Sequence, residues 1–348
     1  MQRDRIELAD LAERGNLELA VWKAARGKRD RIAVGRFLAD LEVRLNRLAE
    51  DIRMERVPAG RMRRFVIHDP KRRIISAACF VDRVLHHAIL NLAESRFERM
   101  LTDHVYACRP GKGVHAAALA VQGNLRRWPW LVRVDVDGYF PSIDHGRLKD
   151  LLARCFKGNG FLALLGRIVD GGSTIPGRGL PIGALTSQHF ANAYLDAADR
   201  FLLNHSAVRA ELRYMDDIVW WCESRADCQT TLAELQAFLW EQRGLRLKPN
   251  VHIGLSRRGL AYCGFRIKPG VILASSRKLT RYRAGLSRIE RARAGGRLGD
   301  AEAQRAHDGL LATLAYAETA GFRTSLPEIR DDRPDSGDYD LPPGGGSL

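Results

Sequence analysis

The spacing of hydrophobic positions changes period several times along the chain. Leu38, Leu41, Leu45, Leu48 and Ile52 recur at helical intervals, which predicts an N-terminal helical segment ending near Pro58-Ala59-Gly60. Leu131 to Asp137 alternates apolar and polar residues as a strand does. Helices are predicted over about 146 to 170, after Gly183, and from Asp227 to Gly244. The apolar run Ile218 to Cys222 is preceded by the shorter Glu211-Leu212-Arg213, so the four residues between them form a hairpin tip. Strands follow over Gly259 to Ile267. After Pro269-Gly270, Leu279, Tyr282, Leu286 and Ile289 make one stripe of a helix whose other faces carry Arg281, Arg283, Arg288, Arg291 and Arg293. From Leu326 the chain is acidic and turn-rich, ending in Pro342-Pro343-Gly344-Gly345-Gly346, and is expected to be disordered. No internal repeat is visible.

The hairpin tip is Tyr214-Met215-Asp216-Asp217. Adjacent carboxylates at a tight turn repel each other, and keeping both ionised near neutral pH favours a bound divalent cation. Aspartate also favours turns for backbone reasons, so the pair alone is compatible with a plain turn. Asp135 ends the alternating strand and adds a third carboxylate able to lie beside the tip, although Asp135 and Asp137 also read as ordinary strand-end acids. Two divalent ions about 3.5 to 4 Å apart need hard oxygen ligands from separate segments, which Asp135, Asp216 and Asp217 would supply. Gly179 to Leu195 reads as a tight glycine turn entering a helix, with small residues that let a base pair approach the backbone.

Together these three motifs resemble the palm of a reverse transcriptase, in order and at sensible spacing. Pro70 to Ser76 and Asp82 to Ala88 resemble the fingers, Tyr106 to His115 the next block of that family, and Gly259 to Ile267 its primer-grip hairpin, so the resemblance runs from about 15 to 322. It implies an α+β right-hand polymerase: an N-terminal helical segment (1–60), fingers (61–130), an antiparallel-sheet palm with the metal site (131–268), a helical thumb (269–325) and the tail (326–348). It also implies two Mg2+ ions, with Mn2+ able to substitute. Asp135 and Asp216 would be shared ligands, Asp217 a secondary one, and the Val136 carbonyl a helper. Lys71 and Arg73 would neutralise the incoming dNTP, with Gln188 beside it, and Phe140 would exclude a ribose 2′ hydroxyl, though it also reads as core. Arg109 and Lys112 would contact template phosphate, and Arg281 and Arg288 would track the template-primer backbone. Lys248 is the only lysine near the place where the family often has a pyrophosphate acid, with Asn250, Val251 and His252 where that lysine is expected, so that role stays unassigned.

Most relatives carry Gln-Gly and Ser-Pro in the helix-entry motif, whereas this chain has Ile182-Gly183 and Ser187-Gln188. That combination is similar to the enzymes of diversity-generating retroelements, as are Asn16-Leu17 with Ala24 to Lys28. The resemblance implies error-prone cDNA, mutagenised at adenines, copied from a template-repeat RNA, with Ile182 and Gly183 bearing on fidelity. It further implies a small basic accessory variability protein, a pentameric helical bundle. The alternatives are a retron, intron-derived or phage-defence reverse transcriptase of ordinary fidelity, or a non-catalytic RNA-binding scaffold. An intron enzyme is expected to continue into a maturase or endonuclease domain, and a scaffold to lose the acids.

Composition agrees with a nucleic-acid partner. Lys+Arg number 56 against Asp+Glu 41, a formal charge of +15, which draws a polyanion through phosphate contacts, though charge of this kind also serves solubility alone. With 348 residues, 45% of them hydrophobic, the chain can bury two or three cores. No apolar run approaches the roughly 20 residues that cross a bilayer and no signal segment opens the chain, so a soluble, cytoplasmic protein without a membrane partner is expected. The six cysteines show no zinc-like pairing and are expected to be small core residues.

Overall fold

In the computed structural model of the chain, the described residues are 2–57, 62–68, 72–171 and 175–319, without the side chains at 72–74. They divide into two units, the second beginning at Ser276. The first opens with β1 (Asp4–Arg5) and the helices α1 (Leu8–Leu11), α2 (Arg14–Ala25), α3 (Ile32–Ala39) and α4 (Leu41–Arg53). The helix expected to run through Leu38 is interrupted at Asp40, whose φ of −110° and ψ of 32° leave helical geometry, so Leu38 belongs to α3.

An antiparallel hairpin, β2 (Met62–His68) with β3 (Arg72–Ala78), leads into α5 (Phe80–Met100) and α6 (Val114–Arg127). Then come β4 (Trp130–Asp135), α7 (Tyr139–Ser142), α8 (His145–Cys155), β5 (Phe156–Lys157) and α9 (Asn159–Gly171). The single helical stretch expected at 146 to 170 is thus two helices. Gly158 explains the break: its φ is +112°, and a Cβ there would stand 2.1 Å from the Ile6 carbonyl oxygen. Only glycine lets the N-terminal segment come this close, and β1 pairs with β5 in parallel, Asp4 opposite Phe156.

The chain continues through α10 (Leu185–Leu203), β6 (Val208–Tyr214), β7 (Asp217–Cys222), α11 (Arg225–Arg243), β8 (His252–Leu255), β9 (Leu260–Tyr262), β10 (Phe265–Ile267) and β11 (Ile272–Ala274). Helix α11 starts two residues earlier than its hydrophobic pattern because Ser224 caps it, Oγ accepting from Asp227 N at 3.0 Å while the Asp227 carboxylate accepts from Ser224 N at 3.2 Å. Strands β6, β7, β4 and β8, in that order, form one antiparallel sheet. Strand alternation splits its residues between two faces. Ile218, Trp220 and Cys222 turn into the main core with α10 and α11, where Trp220 Nε1 donates to Thr231 Oγ1 at 2.9 Å. Arg133 and Asp217 take the other face, toward Tyr262 of β9. Strands β9 to β11 make a second antiparallel sheet.

The second unit contains α12 (Ser276–Ala294) and α13 (Asp300–Ala312). Of its predicted apolar stripe, Tyr282 is buried and Leu279, Leu286 and Ile289 are half-buried, while Arg281 and Arg288 are exposed. The tail from 326 lies outside the described residues. Cys155, Cys222 and Cys228 are core residues as expected, but Cys79 and Cys108 are exposed and Cys263 half-buried. Cys108 and Cys263 occupy left-handed turn positions, φ +55° and +48°, which hold them off the core. Among the described residues no helix is long and apolar enough to cross a membrane.

Candidate active site

Register places Asp135 of β4 opposite Asp217 of β7, and Tyr214 of β6 opposite Asp217, so the acidic turn closes the end of the sheet. Met215 at the tip has φ +57°, a conformation costing a non-glycine residue roughly 1–2 kcal/mol. Arg213 holds it there. Its Nη1 donates to the Met215 carbonyl at 2.9 Å, its guanidinium forks onto Asp199 of α10 through two 2.6 Å bonds, and it donates to both Asn192 oxygens at 3.1 Å. Burial works against this charge, and Asp199 more than offsets it. Glu211, one strand repeat back, is buried too; burial and then the Asp199 charge push its carboxyl well above the usual range, favouring the protonated form.

The three acids meet as a mutually repelling group. Burial and then the Asp135 charge push Asp216 up to about 6. Asp217 is also raised by burial, against the opposing pull of Arg133, whose Nε and Nη2 donate to its two oxygens at 2.8 and 2.6 Å. Lys248 Nζ pairs with Asp135 Oδ1, and the Lys248 amide donates to the Asp135 carbonyl at 2.8 Å. Tyr262 Oη donates to the Asp217 carbonyl at 2.7 Å, and the Arg133 guanidinium lies over the Tyr262 ring at 5.6 Å. Among the described residues no three Asp, Glu, His or Cys side chains already form a metal-holding group, because Asp217 is turned onto Arg133 and Asp135 onto Lys248. The donor chemistry nonetheless fits a hard divalent ion, since two resident cations leave Asp216 still raised.

The Asp216 carboxyl, raised by burial and then by the Asp135 charge, predicts a pH-dependent response to Mg2+. A carboxyl raised from 3.8 in the unfolded chain to about 6 in the fold stabilises below the lower value and loses that contribution as pH rises through the higher one. Mg2+ should therefore raise Tm clearly at pH 7.5 and much less at pH 5, where Asp216 is protonated, as read by calorimetry. An equal rise at both values would remove Asp216 from the ligand set.

Of the other candidate residues, Val136 touches this turn, while Phe140, Ile182, Gln188, Arg109 and Lys112 have partners elsewhere. Val136 is buried, its amide donating to the Asp216 carbonyl at 3.3 Å. Phe140 is half-buried, edge-on to Tyr139 at 5.8 Å, its carbonyl accepting from Leu180 N at 2.9 Å. The Ile182 carbonyl accepts from Ser76 N at 2.8 Å, tying the helix-entry turn to β3. Gly183 has φ +113°, and a Cβ would stand 3.0 Å from the Ser76 carbonyl oxygen, so its smallness serves the approach of β3. Gln188 Oε1 accepts from Cys108 Sγ at 3.4 Å. Arg109 is committed inward, Nε to Glu98 at 2.8 Å and Nη1 to the Thr102 and Val105 carbonyls. Lys112 donates to the Asp103 carbonyl at 2.8 Å and lies over the Tyr106 ring. Lys71 and the Arg73 side chain lie outside the described residues. Sequence reasoning missed Arg133, Arg213 and Tyr262; only Arg133 left a signal, two residues before Asp135 on the same strand face.

Comparison with known proteins bears on this geometry. The chain is 26% identical over 152 residues to a group II intron-encoded protein, LtrA, of Lactococcus lactis subsp. cremoris, covering 42% of this chain and 25% of that one. It is 26% identical over 143 residues to an uncharacterized 91 kDa protein in the cob intron of Schizosaccharomyces pombe, covering 39% of this chain and 17% of that protein. The matches thus span a quarter or less of these relatives. An apo telomerase structure from Candida tropicalis, truncated of its C-terminal domain, aligns with TM-score 0.48 at 9% identity, over 63% of this chain and 55% of that one. Residues 68–267, more than half of the chain, match the family model for reverse transcriptase (RNA-dependent DNA polymerase), and the chain belongs to that family.

Proposed function

We propose that the chain is an RNA-directed DNA polymerase that adds deoxynucleotides to a primer 3′ end on a template RNA. The observation that carries this reading is the meeting of Asp135, Asp216 and Asp217 at one sheet end, with the Asp216 carboxyl raised by burial and then by the Asp135 charge. Asp135 and Asp216, with Asp217 as a secondary ligand and the Val136 carbonyl assisting, would hold magnesium, or manganese in its place, which would supply positive charge to acidify the 3′ hydroxyl and neutralise the triphosphate. Arg133 fixes the orientation of Asp217 on the sheet face that Tyr262 closes. The Lys248–Asp135 pair supports a further assignment, Lys248 as the proton donor to the departing pyrophosphate. Phe140 stands beside the helix-entry turn as the ring that leaves no room for a 2′ hydroxyl, and Lys71 and Arg73 take the triphosphate. Lys112, Arg281 and Arg288 meet template-primer phosphates, while Arg109, held by Glu98, braces the loop that carries Lys112.

The finer reading is a diversity-generating retroelement enzyme that works with a small basic accessory protein and makes cDNA mutated at template adenines. Ile182 supports it: a branched apolar side chain beside the forming base pair packs but donates no hydrogen bond, so mispairs are weakly rejected. Ile182→Gln is expected to lower misincorporation opposite adenine about tenfold, the effect of about 1.4 kcal/mol in discrimination, with a smaller change in extension. Sequencing cDNA made by both forms from a four-base template measures this. A wild-type error spectrum that is low and even would leave the second reading, a reverse transcriptase of ordinary fidelity, which the similarity to intron-encoded proteins favours.

A further inference from the structure

The first unit carries a cavity of about 590 Å³ that the proposed polymerase chemistry does not use, within the size range of small-ligand sites. Five arginines line it: Arg3 ahead of β1, Arg96 of α5, Arg154 of α8, Arg200 of α10 and Arg243 of α11, against one acid, Asp196. Helices α10 and α11, which give Asp196, Arg200 and Arg243 to its lining, pack on the sheet face opposite the one on which Arg133 and Asp217 meet Tyr262.

Its positive charge is only partly answered. Asp196 is engaged by Arg200 at 2.7 Å, and Arg200 also donates to the Met100 carbonyl. Arg96 is 4% exposed, and its Nε has no hydrogen-bond partner among the described residues. Arg243 Nε donates to the Tyr194 carbonyl at 2.9 Å. Burial, with the nearby charges of Arg147 and Arg154, lowers the Arg243 pKa. Like charges gathered around a half-buried guanidinium cost free energy in the folded protein, and a bound anion removes that cost.

A second feature says what kind of anion. Arg200 also lines an adjoining groove of about 460 Å³ with Phe201, Phe238 and His205. The two phenyl rings are half-buried and stacked, centroids 4.6 Å apart and planes 23° from parallel. A cationic pocket continuous with a flat aromatic pair is the combination that holds a nucleic-acid strand by its phosphates and a base.

We propose that this cavity and the adjoining groove form a second RNA-binding site outside the polymerase cleft, taking phosphates of a single-stranded RNA among the arginines and a base against the Phe201–Phe238 pair. The site rests on charge and shape, independently of the catalytic reading. Inorganic tripolyphosphate shares the phosphate chemistry but not the base.

The test uses the whole chain with its cleft saturated by an unlabelled DNA-primed RNA hairpin, and measures binding of a labelled unstructured RNA by fluorescence anisotropy across a salt series. Arg3 and Arg154 are both exposed, and the bond lost, from Arg3 to the Ala153 carbonyl, is itself exposed while the β1–β5 pairing is kept, so Arg3→Glu/Arg154→Glu should fold normally. That variant should bind the labelled RNA at least about tenfold more weakly, with a log–log salt slope shallower by about 1.4, since each single-strand phosphate contact contributes about 0.7. Phe238→Ala should weaken binding with the slope unchanged. Extension of the primed hairpin should be the same in all three proteins and separately reports the catalytic reading. Unchanged RNA affinity in both variants overturns the proposal. So does a wild-type chain that takes tripolyphosphate but no second RNA, which would make this a free-anion site.

Discussion

Asp216→Asn should lower primer extension by about a thousandfold or more while leaving affinity for primed RNA within a few-fold of wild type. Metal-held charge stabilisation is worth several kcal/mol, and each 1.4 kcal/mol is a factor of ten, whereas RNA affinity comes mainly from phosphate contacts elsewhere. The substitution also removes a charge that the fold holds at a cost. The Asp216 carboxyl is raised to about 6, so at pH 7.5 it is ionised against burial and the Asp135 charge. The metal-free variant should accordingly melt at the same or a higher temperature than wild type, which separates lost chemistry from lost structure. A variant that extends primers normally, measured with Mg2+ on a DNA-primed RNA template, would dismiss the assignment of this acid.

Arg213→Leu should be the most destabilising single change near the site. It would strand Asp199, fully buried, without its cation and take the donor from the Met215 carbonyl. Breaking a buried pair by removing one partner costs about 3–5 kcal/mol, a large share of the roughly 5–15 kcal/mol that holds a domain folded. Urea denaturation should show the loss as a lower midpoint at similar slope. The double variant Arg213→Leu/Asp199→Leu should recover most of that stability, because apolar replacement of a buried pair is often neutral. Its extension activity should stay low, since nothing then holds Met215 in its left-handed turn. Full activity in the double variant would show that Arg213 serves stability alone.

How much of this was readable beforehand depended on how local each feature is. The acidic hairpin was legible because Ile218 to Cys222 is apolar throughout and the tip carries two acids, both properties of adjacent residues. Its meeting with Asp135 followed from an alternating strand with an acid at its end. The salt bridge beneath it was invisible, because Asp199 reaches Arg213 only once α10 packs on β6. Lys248 stood near in sequence without a role until the chain leading to β8 laid it on Asp135. The break between α8 and α9 depends on Ile6, far away in the chain, so no local pattern marked it beyond a glycine among several. In the sequence Gly183 reads as leaving space for a base pair, yet the atom that demands that space is the Ser76 carbonyl oxygen.

The parallel pairing of β1 with β5 also bears on how the protein is made. Arg3 donates to the Ala153 carbonyl across 150 positions of chain, so Arg3 leaves the ribosome well before the segment it binds has been made. At about 5–20 residues per second the wait is roughly 8–30 s, during which α1 to α4 are made without the β1–β5 pairing beside them. Closure of that pairing is a late, long-range step, and until then α2 rests on α5, where Asn16 Nδ2 donates to the Ala88 carbonyl at 3.3 Å and Asn91 Nδ2 to Asn16 Oδ1 at 2.9 Å.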